Sequence, residues 1–446
     1  MLSDAEEKLS AILPHVELKP HQREVLIGLA QGQNVFASLP TGYGKSLCYS
    51  LPAAAWGWRL WVVSPLISLM EDQVAACKSL GLRATAIHSG MEKDSMETAL
   101  YGKWEVLFLS PERLGIWWEN GTVAKLEERG LKPDLLVLDE MHCFEDWRRF
   151  REGYQEVFAP IRRMVGGGTA LLGLSASFRE SESSAWMNEF CDQHLRVEGA
   201  LARENLSLLV IPIEGEHWRW LLLTSFLRNL EAPKSALIYC ASQKECDEVG
   251  QWLASAGFPA ATYHAGLPNM VRRERSRAFR AGALRIVCAT SAFGMGIDYP
   301  WVDRVLHFSL PHDLESYWQE VGRAGRNGHE AYGVAFWRRS ELARMRSMDS
   351  VQRERFASLW RAWVKGACRK VAVAERLGMK QQPCGKCDRC RSKKGNFLPD
   401  WLREWEFLFR GEAWWLESSS RPEKWLEKKI SHYGKALDAK PIPDSV

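Results

Sequence analysis

Leu39-Pro40-Thr41-Gly42-Tyr43-Gly44-Lys45-Ser46 stands between a short apolar run, Val35–Leu39, and a helical pattern over Leu47–Ala54. A buried strand that ends in a glycine loop and continues as a helix presents backbone N–H groups to an anion. Gly42 and Gly44 let that backbone curl around phosphate oxygens. In such a loop Lys45 reaches the β- and γ-phosphates of a nucleotide, and Ser46 offers a hydroxyl to Mg²⁺. Thr41 belongs to the same cradle. The strict phosphate-loop pattern opens with a glycine where Leu39 stands. The competing reading is a plain glycine turn before a helix, and the strand–loop–helix context favours phosphate.

Further along, Leu135-Leu136-Val137-Leu138-Asp139-Glu140-Met141-His142 sets two carboxylates just beyond a second apolar run. Hydrolysis of ATP needs a metal at the β/γ-phosphates and a group that orients the attacking water. Asp139 suits the metal and Glu140 the water. Strand ends often carry a solvated aspartate, so the pair gains its force from following a phosphate loop in the same sheet.

Other apolar runs, Leu60–Ser64, Val106–Ser110 and Ala170–Leu174, alternate with helical patterns. Continuous rather than alternating hydrophobicity marks strands buried on both faces of a parallel sheet. The pattern pauses over Leu195–Leu206, read as a linker. It restarts with Ala236–Cys240, Ala261–His264, Arg285–Ala289, Arg304–Phe308 and Gly333–Phe336. The expected fold is therefore α/β, with two tandem parallel-sheet lobes at 1–200 and 201–344. A small helical module, read below as zinc-binding from its cysteines, follows at 345–395, and a tryptophan-rich helical tail at 396–446.

Cys368, Cys384, Cys387 and Cys390 form a cluster, the last three in tight turns. Four thiolates suit tetrahedral structural Zn²⁺, which clamps a segment too small for its own core; a four-iron cluster is the alternative. The remaining cysteines are scattered in apolar surroundings and read as small core residues.

The net charge is +4, unevenly spread. Residues 345–395 hold 14 Lys/Arg against 4 Asp/Glu, a block that suits a phosphate backbone or, more plainly, a solvated face. No stretch reaches the roughly 18 apolar residues of a membrane helix. The polar, acidic N-terminus is not that of a secretory signal. A location in the cytoplasm, on the nucleoid in a prokaryote, is expected, with no membrane contact.

Together these stretches resemble the RecQ family of superfamily 2 helicases. The resemblance rests on LPTGYGKSLCYSLP (39–52), VVSPLISLMEDQV (62–74), LSPERL (109–114), the acidic box, GLSAS (173–177), LIYCAS (237–242), ATSAFGMGID (289–298) and QEVGRAGRNG (319–328), in the family's order. It implies that the two tandem parallel-sheet lobes are RecA-like and that they form an ATP- and Mg²⁺-dependent, DNA-stimulated motor that moves 3′ to 5′ on single-stranded DNA and opens forked duplexes in repair and recombination. It implies that Gln22 reads adenine and that Ser175 and Ser177 couple nucleotide state to motion. Gln319, Arg323 and Arg326 would face the γ-phosphate, with Arg326 as the arginine finger, and Asp298 would touch the ribose or the coupling network. The loop of His142, Trp147, Phe150 and Arg151 resembles the family's DNA-sensing aromatic loop; local packing is the bland reading of its rings. The cysteine spacing matches the family's zinc module.

Some positions depart from the family. Met141 replaces an alanine, Tyr43 a glycine and Lys19 an arginine. Fifty-six residues follow Cys390, too few for the winged-helix and further helical domains of longer relatives, so strong unwinding is the activity most in doubt. Trp401, Trp405, Trp414, Trp415 and Trp425 suggest a packed helical cap or a base-stacking surface. A monomer is expected. The rival readings are an RNA-directed motor, and an ATP-binding, DNA-docking switch with little turnover.

Overall fold

The computed structural model describes residues 1–392 except 15, 41, 66, 89–101, 142–157, 176–186, 200–202, 214–215, 228–229, 231–232, 292, 294–298, 300, 339–340, 342–344, 365–367 and 378–380. Residues 393–446, with the five tail tryptophans, lie outside the described residues. The chain divides into two compact units, one chiefly Met1–Ala202 and the other from Arg203 onward.

The first unit is built on seven strands: β1 (Val35–Ser38), β2 (Leu60–Val63), β3 (Ala84–Ile87), β4 (Val106–Leu109), β5 (Leu135–Leu138), β6 (Ala170–Ser175) and β7 (Leu195–Glu198). All pair in parallel, in the order β3-β4-β2-β5-β6-β1-β7. β1, β2, β4 and β5 are buried at every position, because both faces are covered. Phe36, Trp61, Val63, Leu107 and Leu136 enter one core. Their neighbours Val35, Val62, Phe108 and Val137 enter the core on the other side, as the period-two geometry of a strand requires.

The second unit contains β8 (Leu206–Pro212), β9 (Ser235–Tyr239), β10 (Ala260–Tyr263), β11 (Ile286–Ala289), β12 (Val302–His307) and β13 (Ala331–Trp337). This sheet is also parallel, in the order β10-β11-β9-β12-β13-β8. The expected two-lobe α/β architecture is therefore present. The stretch read as a linker contributes strands at both ends: β7 joins the first sheet beside β1, and β8 starts at Leu206 beside β13. β7 was missed because it is an edge strand, LRVE, partly exposed and without a continuous apolar run.

Three helices, Ser350–Val364, Arg369–Arg376 and Asp388–Ser392, follow β13. A buried ion pair fixes them to the second sheet. Arg369 donates to both carboxylate oxygens of Asp388, at 2.8 and 2.7 Å, and Asp388 accepts the N–H of Val210 on β8. Lys370 donates to the carbonyl of Arg203. Arg369 is 7% exposed and Lys370 1%, so these two cations of the basic 345–395 block serve packing rather than a phosphate backbone.

Candidate nucleotide site and cysteine centre

Register brings the carboxyl ends of β1, β5 and β6 side by side at one end of the first sheet. Ser38 pairs with Ser175, and Leu138 with Gly173. β1 and β5 flank β6, so their ends lie about 10 Å apart, a span that side chains bridge.

The loop after β1 runs into the Leu47–Trp56 helix, with Ser46 at its N-cap. Gly42 and Gly44 have φ of +77° and +88°, the left-handed region that glycine enters without strain. At Gly44 a Cβ would also stand 2.7 Å from Nε2 of Gln22. Gln22 explains the tightness. It is 1% exposed, donates from Nε2 to the carbonyls of Tyr43 (2.9 Å) and Gly44 (3.0 Å), and accepts the Lys19 N–H at Oε1 (2.8 Å). In this arrangement the residue expected to read adenine holds the phosphate loop. Lys19 adds a second tie, donating to the Tyr43 carbonyl at 3.1 Å with its ammonium 4.6 Å from the ring centre. Tyr43 and Lys19, both departures from the family pattern, thus contact each other.

Beyond β5, Asp139 is buried and Glu140 adopts φ of +51°, unusual for a side-chain-bearing residue. That turn carries the Glu140 carboxylate to Lys45, whose Nζ lies 2.9 and 3.0 Å from its two oxygens. Burial, then the charge of Glu140, push the Asp139 carboxyl up to about 7, against the pull of Lys45. Met141 fills core space: it is 1% exposed, and its Sδ occupies room that a Cβ on Gly173 would need, 2.5 Å away. Ser175 ends β6 fully buried, with its carbonyl accepting the Leu39 N–H. Thr41, His142, Trp147, Phe150, Arg151 and Ser177 lie outside the described residues.

In the second unit, Gln319 lies on the Leu314–Val321 helix, capped by the Asp313 side chain accepting from Ser316 N–H at 2.7 Å. Arg323 and Arg326 follow it. Arg323 is 5% exposed, and its Nε and Nη1 have no hydrogen-bond partner among the described residues. A buried guanidinium with open donors is costly and calls for an anionic partner. Its charge, and a hydrogen bond, act on the Tyr239 hydroxyl, which burial drives upward. Tyr239 stacks on His307, and His307 Nε2 lies 2.8 Å from Glu320 Oε2. Sequence reading missed this Tyr239–His307–Glu320 support. Arg326 is half-buried, and Asp298 lies outside the described residues.

Cys368, Cys384, Cys387 and Cys390 converge, their sulfurs all within 4.8 Å of one another. Cys368 Sγ lies 3.5 Å from that of Cys384 and 4.0 Å from that of Cys387. A Zn–S bond of about 2.3 Å gives a tetrahedron with edges of roughly 3.8 Å, so four thiolates at this spacing fit zinc. Backbone N–H groups of Arg369 and Cys390 point to Cys387 Sγ at 3.4 Å, the donors that steady a thiolate ligand.

Comparison with known proteins agrees with this layout. Residues 19–184 match the DEAD/DEAH box helicase model, and 219–328 the helicase conserved C-terminal domain. A putative ATP-dependent DNA helicase Q1 of Caenorhabditis elegans is 31% identical over 88% of this chain and 65% of its own length. ATP-dependent DNA helicase RecQ of Haemophilus influenzae is 28% identical over 90% and 66%, and that of Bacillus subtilis 31% over 74% and 55%. The chain thus spans less than two thirds of each of these relatives. Among solved structures, Mycobacterium smegmatis helicase Lhr bound to ssDNA and AMP-PNP shares the fold, with a TM-score of 0.62 at 19% identity over 84% of this chain and 53% of that one. The helicase MrfA bound to DNA and AMPPNP gives 0.62 at 19% over 78% and 53%.

Proposed function

This chain belongs to the RecQ-type helicases of superfamily 2, and on that premise we propose that it hydrolyses ATP to move 3′ to 5′ along single-stranded DNA and to open short or forked duplexes. The observation that carries the reading is the meeting of Lys45 with Glu140 beside buried Asp139, at the end of a parallel sheet and against a glycine loop.

Each group has a task that its chemistry suits. The N–H groups around Gly42 and Gly44, with Thr41, receive the phosphates, and Lys45 neutralises their charge. Ser46 and Asp139 would hold Mg²⁺, which would supply positive charge at the β/γ-phosphates. Glu140 orients the attacking water. Gln319, Arg323 and Arg326 supply donors for charge that develops in the transition state, with Arg326 as the arginine finger; the open nitrogens of buried Arg323 support such a task. Asp298 takes the ribose, and Gln22 takes the base by exchanging its bonds to the Tyr43 and Gly44 carbonyls for bonds to adenine. His142, Trp147, Phe150 and Arg151 sense the strand by stacking and charge. Zn²⁺ at the four cysteines is structural. The protein acts as a monomer in the cytoplasm, on the nucleoid in a prokaryote.

Partial duplexes with a 3′ or a 5′ single-stranded tail test the polarity. ATP-dependent strand release from the 3′-tailed substrate alone is expected. Release from the 5′-tailed substrate alone would overturn the assigned direction.

A further inference from the structure

The Asn269–Arg280 helix, NMVRRERSRAFR, carries five arginines against one glutamate. Its net charge of +4 equals that of the whole chain, so the rest of the molecule balances to zero. The helix is fixed in rotation by its inner side. Arg275 donates to the carbonyl and hydroxyl of Thr262 on β10. Ser276 Oγ lies 3.0 Å from the Tyr299 hydroxyl, and buried Phe279 packs edge-on against Tyr299 and Phe293. Arg272 turns to Asn269. Positions 272, 275, 276 and 279 therefore face inward, and the opposite side presents Met270, Arg273, Glu274, Arg277 and Arg280, all exposed.

We propose that this outer face is a docking surface for the phosphodiester backbone of nucleic acid, additional to the strand-sensing loop. Arg273, Arg277 and Arg280 follow one another at i+4 and i+3, a single stripe on the helix surface. Seven residues of helix rise about 10 Å, and a duplex strand presents about three phosphates over that axial length. Three exposed cations on long stems, aligned along that length, are the footprint of backbone recognition, which carries no base specificity. Met270, 79% exposed, heads the same stripe with an apolar side chain suited to a sugar. The basic block further along is a poorer candidate. Arg369 and Lys370 there are interior, whereas Arg273, Arg277 and Arg280 are exposed. The inference rests on the reading of the chain as a nucleic-acid motor.

The test is the salt dependence of binding of the full chain to a fluorescent forked DNA duplex, read by anisotropy. The variant R273Q/R277Q/R280Q is expected to give a log K against log salt slope shallower by about 2–3, near 0.9 for each phosphate no longer neutralised. Its melting temperature and its ATPase rate without DNA should be unchanged. The variant R273K/R277K/R280K should keep the parental slope, because a phosphate needs charge and not a guanidinium. A parental slope in the glutamine variant overturns the docking surface and leaves the motor reading intact. A folded parent that binds no DNA overturns the motor reading, and this surface with it.

Discussion

Lys45 and Glu140, ninety-five residues apart in the chain, form a two-armed ion pair in which the ammonium contacts both carboxylate oxygens at 2.9 and 3.0 Å. On the proposed reading Lys45 takes the nucleotide phosphates and Glu140 the attacking water, so in this arrangement each occupies the other. Nucleotide entry must draw Lys45 away from Glu140. Glu140→Gln is therefore expected to tighten nucleotide binding by about three- to tenfold, the gain from releasing roughly 1 kcal/mol of competing attraction. Turnover should fall by at least about a hundredfold, as is usual when a positioned charged group is removed. Titration with a fluorescent ATP analogue, beside a steady-state assay, separates the two effects. Weaker binding in this variant would contradict the competition.

The Asp139 carboxyl gives the nucleotide-free protein a pH dependence. Burial and Glu140 raise it from 3.8 to about 7. A carboxyl held above its unfolded value contributes stability that is fully present below about pH 3.8 and is lost as pH rises through about 7. Asp139→Asn keeps the neutral form at every pH. The variant should melt above its parent at pH 8, with the difference shrinking steadily toward pH 5. A constant offset across that range would contradict the assignment.

Met141 and Gly173 make a complementary pair, since the Met141 sulfur fills the space that a Cβ on Gly173 would take. Met141→Ala, which restores the residue usual in the family's box, is expected to cost about 2–5 kcal/mol through the cavity it leaves. Met141→Ala with Gly173→Ala should recover part of that loss, and Gly173→Ala alone should destabilise by overpacking. Strict additivity of the two changes in denaturant melts would contradict the pairing.

Asp388 stands between the cysteine centre and the second sheet, accepting from both Arg369 and Val210. Asp388→Ala strands the Arg369 cation in the interior, and a loss of about 3–5 kcal/mol is expected. Chelation, or Cys384→Ser, should release one zinc per chain and expose the same region to protease, whereas a visible absorption band that bleaches on reduction would point to an iron cluster instead. Retention of full stability without metal would contradict a structural role.

Legibility in the first sheet followed burial; in the second, β8 is buried at its first six positions yet went unread, and half-exposed β10 was read. β1, β2, β4 and β5 are covered on both faces, so each reads as an unbroken apolar run. β3 and β7 stand at sheet edges and are partly exposed, and their short mixed sequences carry no such signal. The strand–glycine loop–helix at 35–54 was legible because its signal is local: eight consecutive residues, 39–46, hold the glycines, the lysine and the serine. The support around Arg323 was not, because Tyr239 and His307 meet only through the register of β9 with β12. Arg369 and Lys370 misled, since a cation in sequence reads as surface and only the fold supplies Asp388 and the Arg203 carbonyl. The arginines of the Asn269–Arg280 helix were passed over because the larger excess at 345–395 drew the basic reading there.

The most direct test of the central claim is the steady-state ATPase rate of the full chain with no nucleic acid, with single-stranded DNA and with RNA of matched sequence, alongside Glu140→Gln. A DNA-driven motor predicts strong stimulation by DNA, little by RNA, and loss of turnover in the variant. Equal or greater stimulation by RNA, or a negligible rate under every condition, would contradict it.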